Sequence, residues 1–141
     1  MLRTFIFSIG LILPAPAAWA DAAADCAQIQ DPDRSIRGCT DIIDKGHGTR
    51  RALAAAYNNR SNAYNSKGDH DRAGKSAQGL PDAERSLELR PNDARTLDTR
   101  GNIFEALGRR DEAIADFRRA LANDPLQQES ENALKRLGAS P

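Results

Sequence analysis

RGNIFEALGRRDEAIADFRRALANDP, residues 100–125, reads as two short helices separated at Gly108 and closed by Pro125. Its first half recurs upstream as RSNAYNSKGDHDRA, residues 60–73. Arg60 falls on Arg100, Asn62 on Asn102, Tyr64 on Phe104, Gly68 on Gly108, Asp71 on Asp111 and Ala73 on Ala113, an offset of 40 residues. Its second half, IADFRRALANDP, recurs as LPDAERSLELRP, residues 80–91, at an offset of 34, so the upstream copy carries an insertion of about six residues. A helix pair of this size buries too little apolar surface to fold alone, and copies at regular spacing cover one another by stacking.

A two-helix unit of about 34 residues resembles the tetratricopeptide repeat. In the copy from Ala94 to Gln127, Leu97 takes the first large position, Gly101 the small one and Phe104 the aromatic one. Ala113 and Ala120 take the small positions of the second helix, Phe117 its aromatic position and Pro125 the terminator, while Arg100 stands where the family usually has leucine. The copy from Ala54 to Asp93 is weaker: Tyr57, Ser61, Tyr64, Ala73, Ser86 and Pro91 fit, Arg60 again replaces leucine, and Ala83 stands where an aromatic is expected. Counting back from Pro91 puts Gly79, rather than Ala73, in the small-residue slot. Pro81, with Asp82 and Glu84 behind it, looks like a first helical turn, so the expected second helix is short, residues 81–90, behind an irregular bulge at 74–79.

Further upstream, DRSIRGCTDII, residues 33–43, aligns with the second-helix pattern through Asp33, Ile36 and Cys39. Asp31 as N-cap, Pro32 at the first position and Gly46 past the end frame that helix. The resemblance, to a small exported bacterial-type member of the family, implies an all-α fold: a short right-handed superhelical solenoid of antiparallel helix pairs. The expected order is a signal peptide at 1–20, a degenerate half-repeat at 21–53 and repeats at 54–93 and 94–127. A capping helix and tail at 128–141 close the chain.

Arg3, the apolar run from Phe5 to Leu13 and Ala18-Trp19-Ala20 together describe a secretory leader cut after Ala20. The run is shorter than the ~20 residues a bilayer span needs, and the expected location is periplasmic or secreted. The two cysteines of an exported chain point to a disulfide between Cys26 and Cys39, a short loop whose closure contributes ~3 kcal/mol. With 20 basic and 20 acidic residues the chain lacks the basic excess that phosphate backbones require, which argues against nucleic acid. Arg109, Arg110, Arg118 and Arg119 cluster, but Asp111, Glu112 and Asp116 lie among them, which reads as a solvated, salt-bridged helix surface.

No catalytic constellation is apparent. His47 and His70 both fall in inter-helix stretches, without the base, acid and nucleophile set that covalent catalysis needs. AGKS at 73–76 lacks the first glycine of a phosphate-binding loop, and neither a metal nor a cofactor is implied.

In the family the first helices line a concave face that usually binds a partner's peptide or helix. On the expected helix from about Arg50 to Lys67, Asn58, Asn62 and Asn65 share one face by their i, i+4, i+7 spacing. The family's geometry implies a groove lined by Asn58, Asn62, Asn65, Arg95, Asp98, Asn102 and Glu105, with Ala55 beside them. Side-chain amides carry both donors and acceptors, so they can pair with any peptide backbone. Asn59 reads as solvated filler, and Arg95 either pairs with Asp98 or meets an acidic group on a partner. The lysine clamp of some family members is absent, since Asn58 and Asp98 occupy its positions. The expected function is a non-catalytic protein-binding module; the alternative is a structural protein that self-associates end to end or as a homodimer.

Overall fold

The computed structural model describes residues 17–46, 48–67 and 72–141; residues 1–16, with most of the leader, and His47 and His70 lie outside them. The described residues form seven α-helices and no strand. They are α1 (Ala17–Cys26), α2 (Pro32–Lys45), α3 (Arg50–Ser66), α4 (Arg72–Leu89), α5 (Ala94–Ala106), α6 (Arg110–Asn123) and α7 (Gln128–Arg136).

Short polar side chains set the helix starts by accepting bonds from otherwise orphaned backbone N–H groups. Asp31 accepts from Arg34 N at 2.9 Å, Thr49 from Ala52 N at 3.1 Å and Asp93 from Thr96 N at 3.1 Å. Pro32 opens α2, where its missing N–H costs nothing, and Gly46 closes it at φ +59°, a conformation in which a side chain would be strained.

The expectation of a short helix over 81–90 behind a bulge is corrected, because α4 runs unbroken through 18 residues with Pro81 inside it. At the offset of 34 the first residue of α6, Arg110, corresponds to Ser76, so part of the insertion is taken up as one extra turn at the start of α4. Pro81 removes one backbone donor from that helix. Packing against α3 compensates: the buried Ser76 Oγ donates to Asn65 Oδ1 at 2.7 Å, and Ser61 Oγ donates to the Gly79 carbonyl at 2.8 Å. Gly79 does occupy the small-residue slot, since a Cβ there would lie 2.7 Å from the Ser61 carbonyl oxygen.

Each helix packs on the next, and α1 on α3, α3 on α5 and α5 on α7 also touch, whereas α2, α4 and α6 have no comparable contact with one another. The odd-numbered helices therefore form the inner layer of a tetratricopeptide-like helical solenoid. Its apolar interior is divided among three small clusters along the stack, around Cys39 and Ile42, around Leu87 and Leu97, and around Phe104 and Phe117. Within a pair the helices approach closely enough that a Cβ on Gly101 would stand 2.7 Å from the Phe117 ring, and one on Gly38 would stand 2.6 Å from Cys26 N. Ser86, fully buried, joins three helices by donating to the Ala54 carbonyl at 2.9 Å and sharing a 3.1 Å bond with Thr96 Oγ1.

The two arginines that replace the family's leucine have matched partners. Arg60 forks onto Asp82 at 2.7 and 2.8 Å, and Arg100 onto Asp116 at 2.6 and 2.8 Å. Arg60 and Arg100 are related by the offset of the first helices, and Asp82 and Asp116 by that of the second, so the same ion pair is built twice. Both carboxylates are buried, which corrects the reading of Asp116 as part of a solvated charged surface. The hydrogen bonds that the guanidiniums donate to the carboxylates, and the carboxylates' negative charge, hold both arginines firmly protonated against the opposing effect of burial.

Candidate peptide-binding groove

Two adjoining cavities open on the inner layer. The larger, about 260 Å³, lies between the α1–α2 connection (Ala27, Gln28, Ile29) and Asn59, Asn62 and Ser66 of α3, with Arg95 of α5 at its edge. The smaller, about 90 Å³, is bounded by Ala55, Asn58 and Asn59 of α3 and by Arg90, Asp93 and Arg95. Asn59 and Arg95 belong to both.

Of the groove residues the sequence suggests, Asn58, Asn62 and Arg95 are brought together here. Asn62 and Arg95 are exposed to solvent. Arg95 forms no ion pair among the described residues, whereas the neighbouring Arg90 is neutralised by Asp93 at 2.5 Å. The cavity edge thus carries one uncompensated positive charge. Asn58 Oδ1 is buried with no hydrogen-bond partner among the described residues, a costly state for an acceptor unless a ligand supplies the donor.

The remaining residues are committed elsewhere. Asn65 accepts from Ser76. Asn102 Nδ2 turns back on its own helix, donating to the Asp98 carbonyl at 2.9 Å and to its carboxylate at 3.0 Å, and Ser130 Oγ of α7 donates to the other carboxylate oxygen at 2.7 Å. Glu105 is held by a fork from Arg136 at 2.7 and 2.9 Å. Asp98, Asn102 and Glu105 therefore belong to the α5–α7 seam rather than to either cavity.

Asn59 is not filler. Its Nδ2 donates to the Cys26 carbonyl at 3.3 Å, which also accepts from Ser35 Oγ at 3.1 Å. Cys26 is disulfide-bonded to Cys39, and both are buried. Asn59 thus ties the groove-lining face of α3 to the end of α1. Its i+3 spacing to Asn62 was the signal in the sequence that could have placed it.

Burial raises the Asp98 carboxyl above its ordinary 3.8; hydrogen bonds from Ser130 and Asn102 and the charge of Arg136 oppose the shift, while Glu129 adds to it. A folded-state value above the unfolded one means that its contribution to stability is fully present below the ordinary value and is lost as pH rises through the folded value. Ser130→Ala is expected to push the carboxyl higher still, because a bond to its charged form is lost. A carbon-13 NMR titration of the Asp98 carboxyl checks this, and an unchanged midpoint would contradict it.

No helix among the described residues is long and apolar enough to cross a membrane. Comparison with curated proteins finds no matching sequence. Comparison with protein families matches the tetratricopeptide repeat twice, over residues 54–93 and 94–126, together about half of the chain. With its helix pairs stacked in that register, the chain belongs to the tetratricopeptide repeat family.

Proposed function

We propose that the protein is an exported, non-catalytic interaction module, periplasmic or secreted, whose groove holds an extended peptide segment of a partner protein with an anionic group at Arg95. The observation that carries this reading is the pair of cavities joined through Asn59 and Arg95, with the unpaired acceptor of Asn58 beside an uncompensated guanidinium. Amides of Asn58 and Asn62 suit a peptide backbone, and the guanidinium suits a carboxylate, from a side chain or a chain end. Ile29, exposed at the rim, offers an apolar contact to the same segment. The family's usual role as an interaction scaffold supports the absence of catalysis, and the disulfide and leader pattern support export.

Selection of peptides from a random display library on the oxidised protein tests this. Enriched sequences are expected to carry Asp, Glu or a free C-terminus at one fixed position. Arg95→Ala should weaken them by about tenfold or more, since a charge-assisted hydrogen bond contributes ~1.5–3 kcal/mol, and Asn62→Ala by about fivefold, as for a neutral bond of ~1 kcal/mol. Affinities unchanged in both variants would overturn the groove assignment.

A further inference from the structure

We propose that removal of the leader opens an apolar seat beside the groove, and that this seat takes one aromatic side chain of the bound partner. The inference rests on the reading of the chain as an exported peptide-binding module.

Trp19 lies within the expected leader yet forms part of the described fold. Its indole is one wall of an apolar pocket of about 170 Å³ whose other walls are Ala23 of α1, Ile42 of α2, and Ala52, Ala55 and Ala56 of α3. The ring edge lies close enough to Gly48 that a Cβ there would meet it at 3.6 Å. The indole N–H is buried with no hydrogen-bond partner among the described residues, so the ring is held by apolar contact alone. A seat lined largely by alanine methyl groups has short, unbranched walls, which suit an aromatic face better than a branched aliphatic chain.

Cleavage after Ala20 would withdraw that indole and leave the methyl-lined floor open. The rest of α1 stays in place, because Cys26 is tied to α2 by the disulfide and to Ser35 and Asn59 through its carbonyl, and Asp25 pairs with Arg34 at 2.6 Å. The seat also adjoins the groove: Cys26 and Asn59 line both it and the larger cavity, and Ala55 and Asn59 line both it and the smaller one. A partner lying along the asparagines would therefore pass the seat. The occupant is assigned as aromatic because the chain's own tryptophan supplies one wall of this alanine-lined pocket before processing.

Trp19 is the only tryptophan, so the processed chain has none and a tryptophan-bearing probe can be followed by its own fluorescence. The full chain is exported from a bacterial host and its mass measured; a product beginning at Asp21 is expected, and retention of Trp19 would overturn the proposal. The exported protein is then titrated with N-acetyl-Ala-Trp-Ala amide, the sequence of residues 18–20. A blue-shifted, saturable emission change is expected, with N-acetyl-Ala-Leu-Ala amide competing at least tenfold more weakly. Absence of the change, or equal competition by the leucine peptide, overturns it. Ala52→Leu, checked for native helicity, should weaken the probe at least tenfold. Arg95→Ala should leave probe binding intact while weakening the displayed peptides. Loss of the probe alone removes the seat and spares the groove, whereas failure to select any peptide with probe binding intact removes only the groove.

Discussion

Replacing Asp116 with alanine is expected to cost about 3 kcal/mol, the low end of the penalty for breaking a buried ion pair, because the guanidinium left without its partner is partly exposed. Asp116 is only 3% exposed and takes both bonds of the Arg100 fork, so its removal strands the guanidinium between α5 and α6. The Phe104 ring, 5.5 Å from that guanidinium, offsets little of this, because a cation–π contact at a partly exposed site contributes ~1 kcal/mol. Arg100→Leu together with Asp116→Ala should recover most of the loss, since the pair's own attraction roughly balances the cost of desolvating it. Urea unfolding followed by circular dichroism measures all three variants. A cost below about 1 kcal/mol for Asp116→Ala would place the pair with surface ion pairs instead. Asp82→Ala should cost less than Asp116→Ala, because Arg60 keeps a 3.0 Å bond to Thr40 Oγ1 of α2.

That pair also shows where the sequence stops being legible. Arg60 and Arg100 stand out in the repeat as departures from leucine, and Asp82 and Asp116 align with each other. The link between the two sets is not visible, because it crosses from one helix to the next and the insertion gives the two sets different offsets. Asp116, flanked by Arg118 and Arg119, carries the local pattern of a solvated helix, and only packing reveals that it faces Arg100. The frame of α2 was legible because caps are local chemistry: Asp31, Pro32 and Gly46 act within a few residues of the chain. The start of α4 was not, because proline after a glycine-containing stretch is a sound local signal for a first turn, and contacts of Ser76 and Gly79 with α3 override it. The candidate groove divides in the same way. Helical spacing puts Asn58, Asn62 and Asn65 on one face, but which amides remain free is decided by neighbours far along the chain, Ser76 for Asn65 and Ser130, through Asp98, for the α5–α7 seam.

Reduction of the disulfide, or replacement of Cys26 and Cys39 by serine, is expected to remove about 3 kcal/mol of stability through the entropy restored to the unfolded chain. The loss should be local. In a stack held by nearest-neighbour contacts, α1 and α2 reach α5 only through α3, so α5 to α7 can persist when the first pair loosens. Unfolding of the reduced protein should therefore resolve into two steps where the oxidised protein shows one. The binding consequence exceeds the stability cost, because Cys26, Ala27, Gln28 and Ile29 form one wall of the larger cavity. Once Cys26 is untethered, Asn59 keeps its amide in the groove but loses the carbonyl that fixes its direction. Hydrogen exchange followed by mass spectrometry, with and without reductant, distinguishes the outcomes. Faster exchange confined to residues 21–66, with 110–123 unchanged and displayed peptides released, is the expected result. Uniform acceleration along the chain would mean that the repeats unfold as one unit, and unchanged peptide binding after reduction would mean that the α1–α2 wall is not part of the groove.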